Sequence, residues 1–220
     1  MRVETLRLMD GALSAAIHHA SPHRHIICCH GLHSSKDSRK HRQLATRAQE
    51  AGVTATRFDF RGCGESHGEM KESTLSRRME ELQEVIRYLR ERFDRPRLAL
   101  FGSSFGSMTA IMTAARGDID ALAVMSTPHA ITRDLGLGAA FMRDLERHHV
   151  LAAVARAPPI LILQGTRDEL VPVEQACQLY ARAPGPKRLL LFYTDHSFTH
   201  QRERERALDA ALAWCIHHLS

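Results

Sequence analysis

The chain has 220 residues, 44% hydrophobic and 25% charged, a length and balance that fit one globular domain with a sizeable core and exclude collagen, coiled coil and disorder as whole-chain descriptions. Its formal charge of +5 is not gathered into a patch: Glu80, Glu81, Glu84, Arg87, Arg90, Glu91 and Arg92, like residues 202–206, alternate in sign as on a solvated helix face, so no nucleic-acid partner is expected. Five cysteines, odd in number and without C-x-x-C spacing, imply buried thiols rather than a disulfide framework or zinc site, and no run reaches the roughly 18 apolar residues of a membrane span.

In chain order, β-rich apolar runs predict strands over 5–9 and 13–18. The apolar run 11–17 is too short for a secretory signal and follows Glu4 and Asp10, so a cytoplasmic protein is expected. A third strand over 25–29 precedes a helix over 40–51 and a strand over 54–60. The clearest helix covers 75–93: Leu75, Met79, Leu82, Ile86, Leu89 and Phe93 recur at steps of three and four and share one face. Either Ser73 or Thr74 can cap it, and Pro96 stops it. A strand over 97–101, a helix over 105–116 and a strand over 121–126 follow.

Residues 128–158 break the rhythm. They are too many for a strand-to-helix turn, and Leu135, Leu137, Phe141, Met142 and Leu145 supply one or two helices, read as a small lid-like insertion after the sixth strand. A strand over 160–164, a helix over 173–183, a strand over 188–193 and a helix over 202–218 complete the chain. This alternation predicts an α/β fold, a mostly parallel eight-stranded sheet with helices on both faces, and with no internal repeat residues 1–220 read as one domain. His18, His19, His23, His25, His30 and His33 fall within sixteen residues, but neighbours on a strand face opposite ways and Cys or carboxylate companions are missing, so no metal is expected.

The chemical signal is Gly102-Ser103-Ser104-Phe105-Gly106, a G-x-S-x-G pattern between a predicted strand and a predicted helix. A nucleophile on such a turn needs a strained backbone, and glycines two before and two after it let strand and helix approach closely. Ser104 then sits at the amino end of a helix whose dipole favours developing negative charge. Ser103, flanked at ±2 by Phe101 and Phe105, is the weaker candidate.

With three further segments this pentapeptide resembles the α/β-hydrolase family across nearly the whole chain. His30-Gly31-Leu32 is similar to its H-G-x element, which implies an oxyanion-hole donor at the Leu32 N–H, the second being the Phe105 N–H. Asp59-Phe60-Arg61-Gly62-Cys63-Gly64-Glu65-Ser66 resembles its structural D-x-R-G-x-G-x-S turn and lacks the G-x-G-x-x-G spacing of a dinucleotide loop. Gly165-Thr166-Arg167-Asp168 before Val171-Pro172 resembles the segment bearing the triad acid, implying Asp168, with Glu169 its neighbouring competitor. Asp195-His196-Ser197-Phe198 after the last strand resembles the turn bearing the base, implying His196; Asp195 reads as a loop cap and His200 as too far along.

The resemblance implies a serine hydrolase of carboxylic esters or thioesters, with a small-molecule substrate and no cofactor. Leu135, Phe141, Met142 and Met108 are expected to line a short apolar acyl pocket. Lipase-like or aminopeptidase-like specificity on the same triad, and a non-catalytic binding scaffold, are the alternatives; an aminopeptidase needs an anionic pocket, for which Glu69, Glu72 or Asp144 are the candidates.

Overall fold

The computed structural model describes residues 2–132 and 134–220. Its strands are β1 (Arg2–Leu8), β2 (Leu13–His19), β3 (Arg24–Cys29), β4 (Thr54–Phe58), β5 (Arg97–Ser103), β6 (Ala121–Met125), β7 (Ile160–Gly165) and β8 (Lys187–Phe192). The helices are α1 (Arg39–Glu50), α2 (Leu75–Arg92), α3 (Phe105–Ala114), α4 (Ala139–Glu146), α5 (Val150–Val154), α6 (Val173–Arg182) and α7 (Gln201–His218). All eight strands join one sheet in the order β1-β2-β4-β3-β5-β6-β7-β8. Strand β2 runs antiparallel to both β1 and β4, and every other pair is parallel.

Helices cover both faces of the parallel part, so its strands bury both rows of side chains and read as continuous apolar runs. In β5, Leu98 and Leu100 face the layer of α2 and α3, whereas Ala99 and Phe101 face α1 and α7. Strands β6 and β7 alternate in the same way: Leu122, Val124, Ile160 and Ile162 point to the first layer, and Ala123, Met125, Leu161 and Leu163 to the second. The stripe of α2 is buried as its periodicity predicts, and its cap is Thr74, whose hydroxyl accepts the Arg77 N–H at 3.3 Å.

The solvated-face reading of the charged runs needs correction at two positions, Glu81 of α2 and Arg204 of α7, which are buried, as is Arg78 just before the first run. Their charges are met locally. Glu81 accepts from the Arg61 backbone and guanidinium, and Arg204 donates to the Phe198 and Thr199 carbonyls. Cys28, Cys29, Cys63 and Cys215 are buried free thiols, but Cys177 is exposed.

The segment 128–158 contains two helices that face the core. Phe141 and Leu145 of α4, and Val150, Ala153 and Val154 of α5, are buried. Helix α4 packs on α2, and α5 on α3 and α6. Asp144, an ammonium-site candidate on sequence, instead accepts the Ser76 N–H at 3.0 Å in the first turn of α2.

The strand order positions the site. From β3 the chain goes to one side for β4 and to the other for β5, so the loops leaving β3 and β5 diverge and open a crevice at their carboxyl ends. There α3 presses against the β3 loop: a Cβ on Gly106 would lie 2.1 Å from the Cys29 carbonyl oxygen and 2.5 Å from that of His30, and one on Gly102 would lie 2.6 Å from Ser107 Cα. Backbone cannot yield as a flexible side chain can. Gly106→Ala is therefore expected to cost about 3 kcal/mol or more, lowering the thermal midpoint by about 10 °C or preventing folding; a midpoint within a degree or two of wild type would contradict this packing.

Candidate active site

Ser104 occupies the turn between β5 and α3 with φ 54° and ψ −123°, a left-handed conformation costing an L-residue on the order of 1–3 kcal/mol. Backbone bonds on both sides hold it there. The Ser104 N–H donates to the Met125 carbonyl at 2.8 Å, and the Ser107 N–H to the Ser104 carbonyl at 2.8 Å. The result is a hydroxyl at the first turn of α3, while Ser103 is buried with its hydroxyl accepting from Lys40 Nζ at 2.8 Å.

His196 comes from the loop after β8 and Asp168 from the loop after β7. Gly165 lets these loops meet, since a Cβ there would lie 2.5 Å from the Thr194 carbonyl oxygen. The Ser126 hydroxyl donates to the His196 carbonyl at 2.8 Å, and Asp195 accepts the Thr199 N–H at 2.8 Å and its hydroxyl at 2.6 Å, as a loop cap does. His196 Nε2 is 2.9 Å from Ser104 Oγ, and its Nδ1 is 2.8 and 3.0 Å from the two Asp168 carboxylate oxygens. The competitors lie elsewhere: Glu169 is exposed, and His200 caps α7 by accepting the Glu203 N–H.

The Asp168 side chain is buried but surrounded by donors: the Leu170 and Val171 amides at 2.9 and 2.8 Å, and Gln164 Nε2 at 3.1 Å. Burial pushes its carboxyl up, yet the hydrogen bonds from His196, Val171 and Leu170 outweigh that and hold it below the ordinary carboxylate range. An ionised carboxylate only accepts, so Nδ1 of His196 carries the ring proton and Nε2 turns its lone pair to the Ser104 hydroxyl.

The β3 loop completes this arrangement. Gly31 packs on the serine, where a Cβ would lie 3.4 Å from Ser104 Cβ. The His30 ring beneath is satisfied twice, with Nδ1 donating to the Gly31 carbonyl at 2.7 Å and Nε2 accepting the Phe60 N–H at 3.0 Å. Burial, reinforced by the Arg78 charge, pushes its pKa down to about 3 and keeps the ring neutral. Leu32 and Phe105 both border the cavity over Ser104, and among the described residues neither backbone N–H has a protein acceptor. The Asp59 turn braces the loop: its carboxylate accepts the Lys36 N–H at 2.6 Å and the Glu65 N–H at 3.0 Å.

That cavity holds about 770 Å³. Of the apolar residues expected to line it, Leu135 does so. Phe141 and Met108 are instead buried in the core, with the Phe141 ring 5.7 Å from that of Phe105, and Met142 packs against the same core. Ile131, Leu170 and Val171 stand in their place. Helix periodicity marks an apolar face without saying whether core or cavity lies opposite it. Sequence reasoning also missed Arg78, fully buried, whose guanidinium donates to the His30 carbonyl at 3.0 Å and lies 4.5 Å from the centre of the Phe60 ring. The available signal was its position three residues after Leu75, within the apolar stripe.

A family model described as alpha/beta hydrolase fold matches residues 24–156. The uncharacterised protein YfhR of Escherichia coli strain K12 is 27% identical over 176 residues, 76% of this chain and 60% of its own length. An uncharacterised protein of Mycobacterium tuberculosis is 26% identical over 172 residues, with the same 76% and 60% coverage. The chain thus spans about 60% of the length of these relatives. Among solved structures, Est1E of Butyrivibrio proteoclasticus with ferulic acid bound superposes with a TM-score of 0.84 over 94% of this chain and 95% of its own, at 20% identity. An esterase of Pyrococcus furiosus superposes with a TM-score of 0.79 over 100% of this chain and 91% of its own, at 19% identity. Identities this low speak to fold alone.

The depressed Asp168 carboxyl has a measurable consequence. A group with a lowered folded pKa contributes stability that is present above its unfolded pKa, about 4, and lost as pH falls through the folded value. Asp168→Asn lacks this dependence, so its stability deficit relative to wild type is expected to shrink as pH falls below about 4. Urea melts at pH 7 and pH 3 read the difference, and a deficit that is constant or grows in acid would contradict the assignment.

Proposed function

Since the chain belongs to the alpha/beta hydrolase fold family, we propose that it is a serine hydrolase of the carboxylesterase type, cleaving carboxylic esters or thioesters of short to medium acyl or aryl-acyl groups. The observation that carries this reading is the hydrogen-bonded line from Ser104 through His196 to Asp168, with each contact between 2.8 and 3.0 Å.

In this reading His196 Nε2 takes the hydroxyl proton as Ser104 Oγ attacks the acyl carbon, and Asp168 fixes the tautomer and stabilises the imidazolium. The carbonyl oxygen becomes an oxyanion facing the Leu32 and Phe105 amides; loss of one such donor typically slows the reaction by about 10²–10³. Collapse expels the leaving group, protonated by His196, and leaves an acyl-enzyme at Ser104. Water, deprotonated by the same imidazole, attacks the acyl carbon, and the second tetrahedral intermediate releases the acid and restores the hydroxyl.

The cavity supports a modest acyl group. Leu135, Ile131, Leu170 and Val171 give it an apolar side, and α4 and α5 are packed into the core. An aminopeptidase-like reading finds less support, because no carboxylate is among the described cavity-lining residues. Glu69 and Glu72 form the capping box of a short 3-10 turn, and Asp144 accepts the Ser76 N–H of α2. A non-catalytic scaffold has no need to keep Ser104 in a strained turn aimed at a histidine.

Ser104→Ala is expected to abolish hydrolysis of a p-nitrophenyl ester series while leaving the thermal midpoint nearly unchanged, since only one hydroxyl is removed. In the wild type, kcat/KM should climb by up to about fourfold per methylene, from roughly 0.8 kcal/mol each, and turn over at short to medium chains. Undiminished turnover by the variant excludes Ser104 as nucleophile, and steady improvement out to palmitoyl moves the protein to a lipase-like specificity.

A further inference from the structure

The wall of the cavity combines apolar and cationic side chains. Pro128, Ala130, Ile131, Leu135, Leu170 and Val171 give it an apolar lining, and Arg39 and Lys40 from the start of α1 and Arg204 from α7 give it a cationic one. Several arginines elsewhere are paired, Arg47 with Asp209, Arg90 with Asp118 and Arg97 with Asp120, while others on the open surface are not. Among the described residues, none of the three cations at the cavity forms an ion pair. Lys40 donates to Ser103 Oγ at 2.8 Å, and Arg204 to Gln43 Oε1 and two backbone carbonyls at 3.0 to 3.1 Å, all neutral acceptors. The carboxylates that act on Lys40 electrostatically are already engaged, Asp195 by Thr199 and Asp168 by His196, Leu170 and Val171.

Cations without an ion pair, in a concave wall with no carboxylate among its described lining residues, concentrate anions and give them charge-assisted hydrogen bonds. Their location says which part of the substrate carries the charge. The group expelled from Ser104 is protonated by His196, so it lies on the His196 side of the acyl carbon. The His196 loop runs directly into α7, and α7 packs against α1. Resting on the hydrolase reading above, we infer that the substrate is an ester or thioester whose leaving alcohol or thiol bears an anionic group, a carboxylate or phosphate, received by Arg39 and Lys40 while the acyl group lies on the apolar side. Burial pushes the Lys40 ammonium down to about 8, so it remains mostly charged at pH 7.

The test uses three butyryl thioesters differing only in leaving-group charge: those of 3-mercaptopropionate (anionic), 2-mercaptoethanol (neutral) and thiocholine (cationic), followed by thiol release at pH 7. The expected kcat/KM is about tenfold higher for the anionic than the neutral thioester at low ionic strength and lower again for the cationic one, with the spread shrinking by about 0.5 M salt. Arg39→Glu, at an exposed position where a carboxylate suits a helix amino terminus, should reduce the anionic-to-neutral ratio severalfold and raise the cationic rate, and Lys40→Met should reduce the same ratio. Equal rates on all three thioesters, or a preference untouched by Arg39→Glu, overturn the inference while leaving the hydrolase standing. No turnover of any thioester, together with no labelling by a fluorophosphonate, overturns the hydrolase reading and this inference with it.

Discussion

The close approach of α3 to the ends of β3 and β5 is the constraint from which the site follows. Only glycine fits at positions 102 and 106 at that separation, and only a left-handed Ser104 turns the chain from strand to helix within one residue. The strain costs on the order of 1–3 kcal/mol and is held by the Met125 carbonyl and by the buried start of α3. Because β3 and β5 are adjacent while their connections leave to opposite sides, the same contact sets the β3 loop beside the serine. The serine hydroxyl, the Leu32 and Phe105 amides and the cavity are thus placed by one packing arrangement.

A second layer keeps that arrangement rigid. Arg78 is fully buried, which is costly for a guanidinium, and its donors are taken by the His30 carbonyl, the Ser73 hydroxyl and the Cys63 thiol. Its Cζ also lies 4.5 and 5.0 Å from the ring centres of Phe60 and Phe105. One side chain therefore joins α2, the Asp59 turn, the β3 loop and the first residue of α3. The neutral His30 ring joins the same loop to Phe60, so the two amides over the cavity are held by contacts beneath them rather than by the cavity itself.

Much of this was legible in the sequence for identifiable reasons. Parallel strands covered on both faces are apolar throughout, which is why β5, β6 and β7 stand out, and α2 shows its face because six apolar residues keep strict spacing. Ser104, Asp168 and His196 were singled out by their positions after particular strands, and the structure brings the three side chains within hydrogen-bond distance. Phe141, Met142 and Met108 were misplaced because an apolar face looks the same whether it meets core or cavity. Arg78, Glu81 and Arg204 were missed because a charged residue in a helix reads as solvated until tertiary partners are known, and Lys40 and Arg39 because cavity walls form from distant segments.

In the proposed mechanism the strained turn makes Ser104, and not its neighbour, the nucleophile. Ser103 differs by one position yet is buried and engaged by Lys40. Reaction of the wild-type protein with a fluorophosphonate, followed by proteolysis and fragmentation of the peptide containing both serines, tests this most directly. A single phosphonyl adduct on Ser104 is expected, its formation suppressed in His196→Ala. An adduct on Ser103, or one formed equally fast without the histidine, would contradict it.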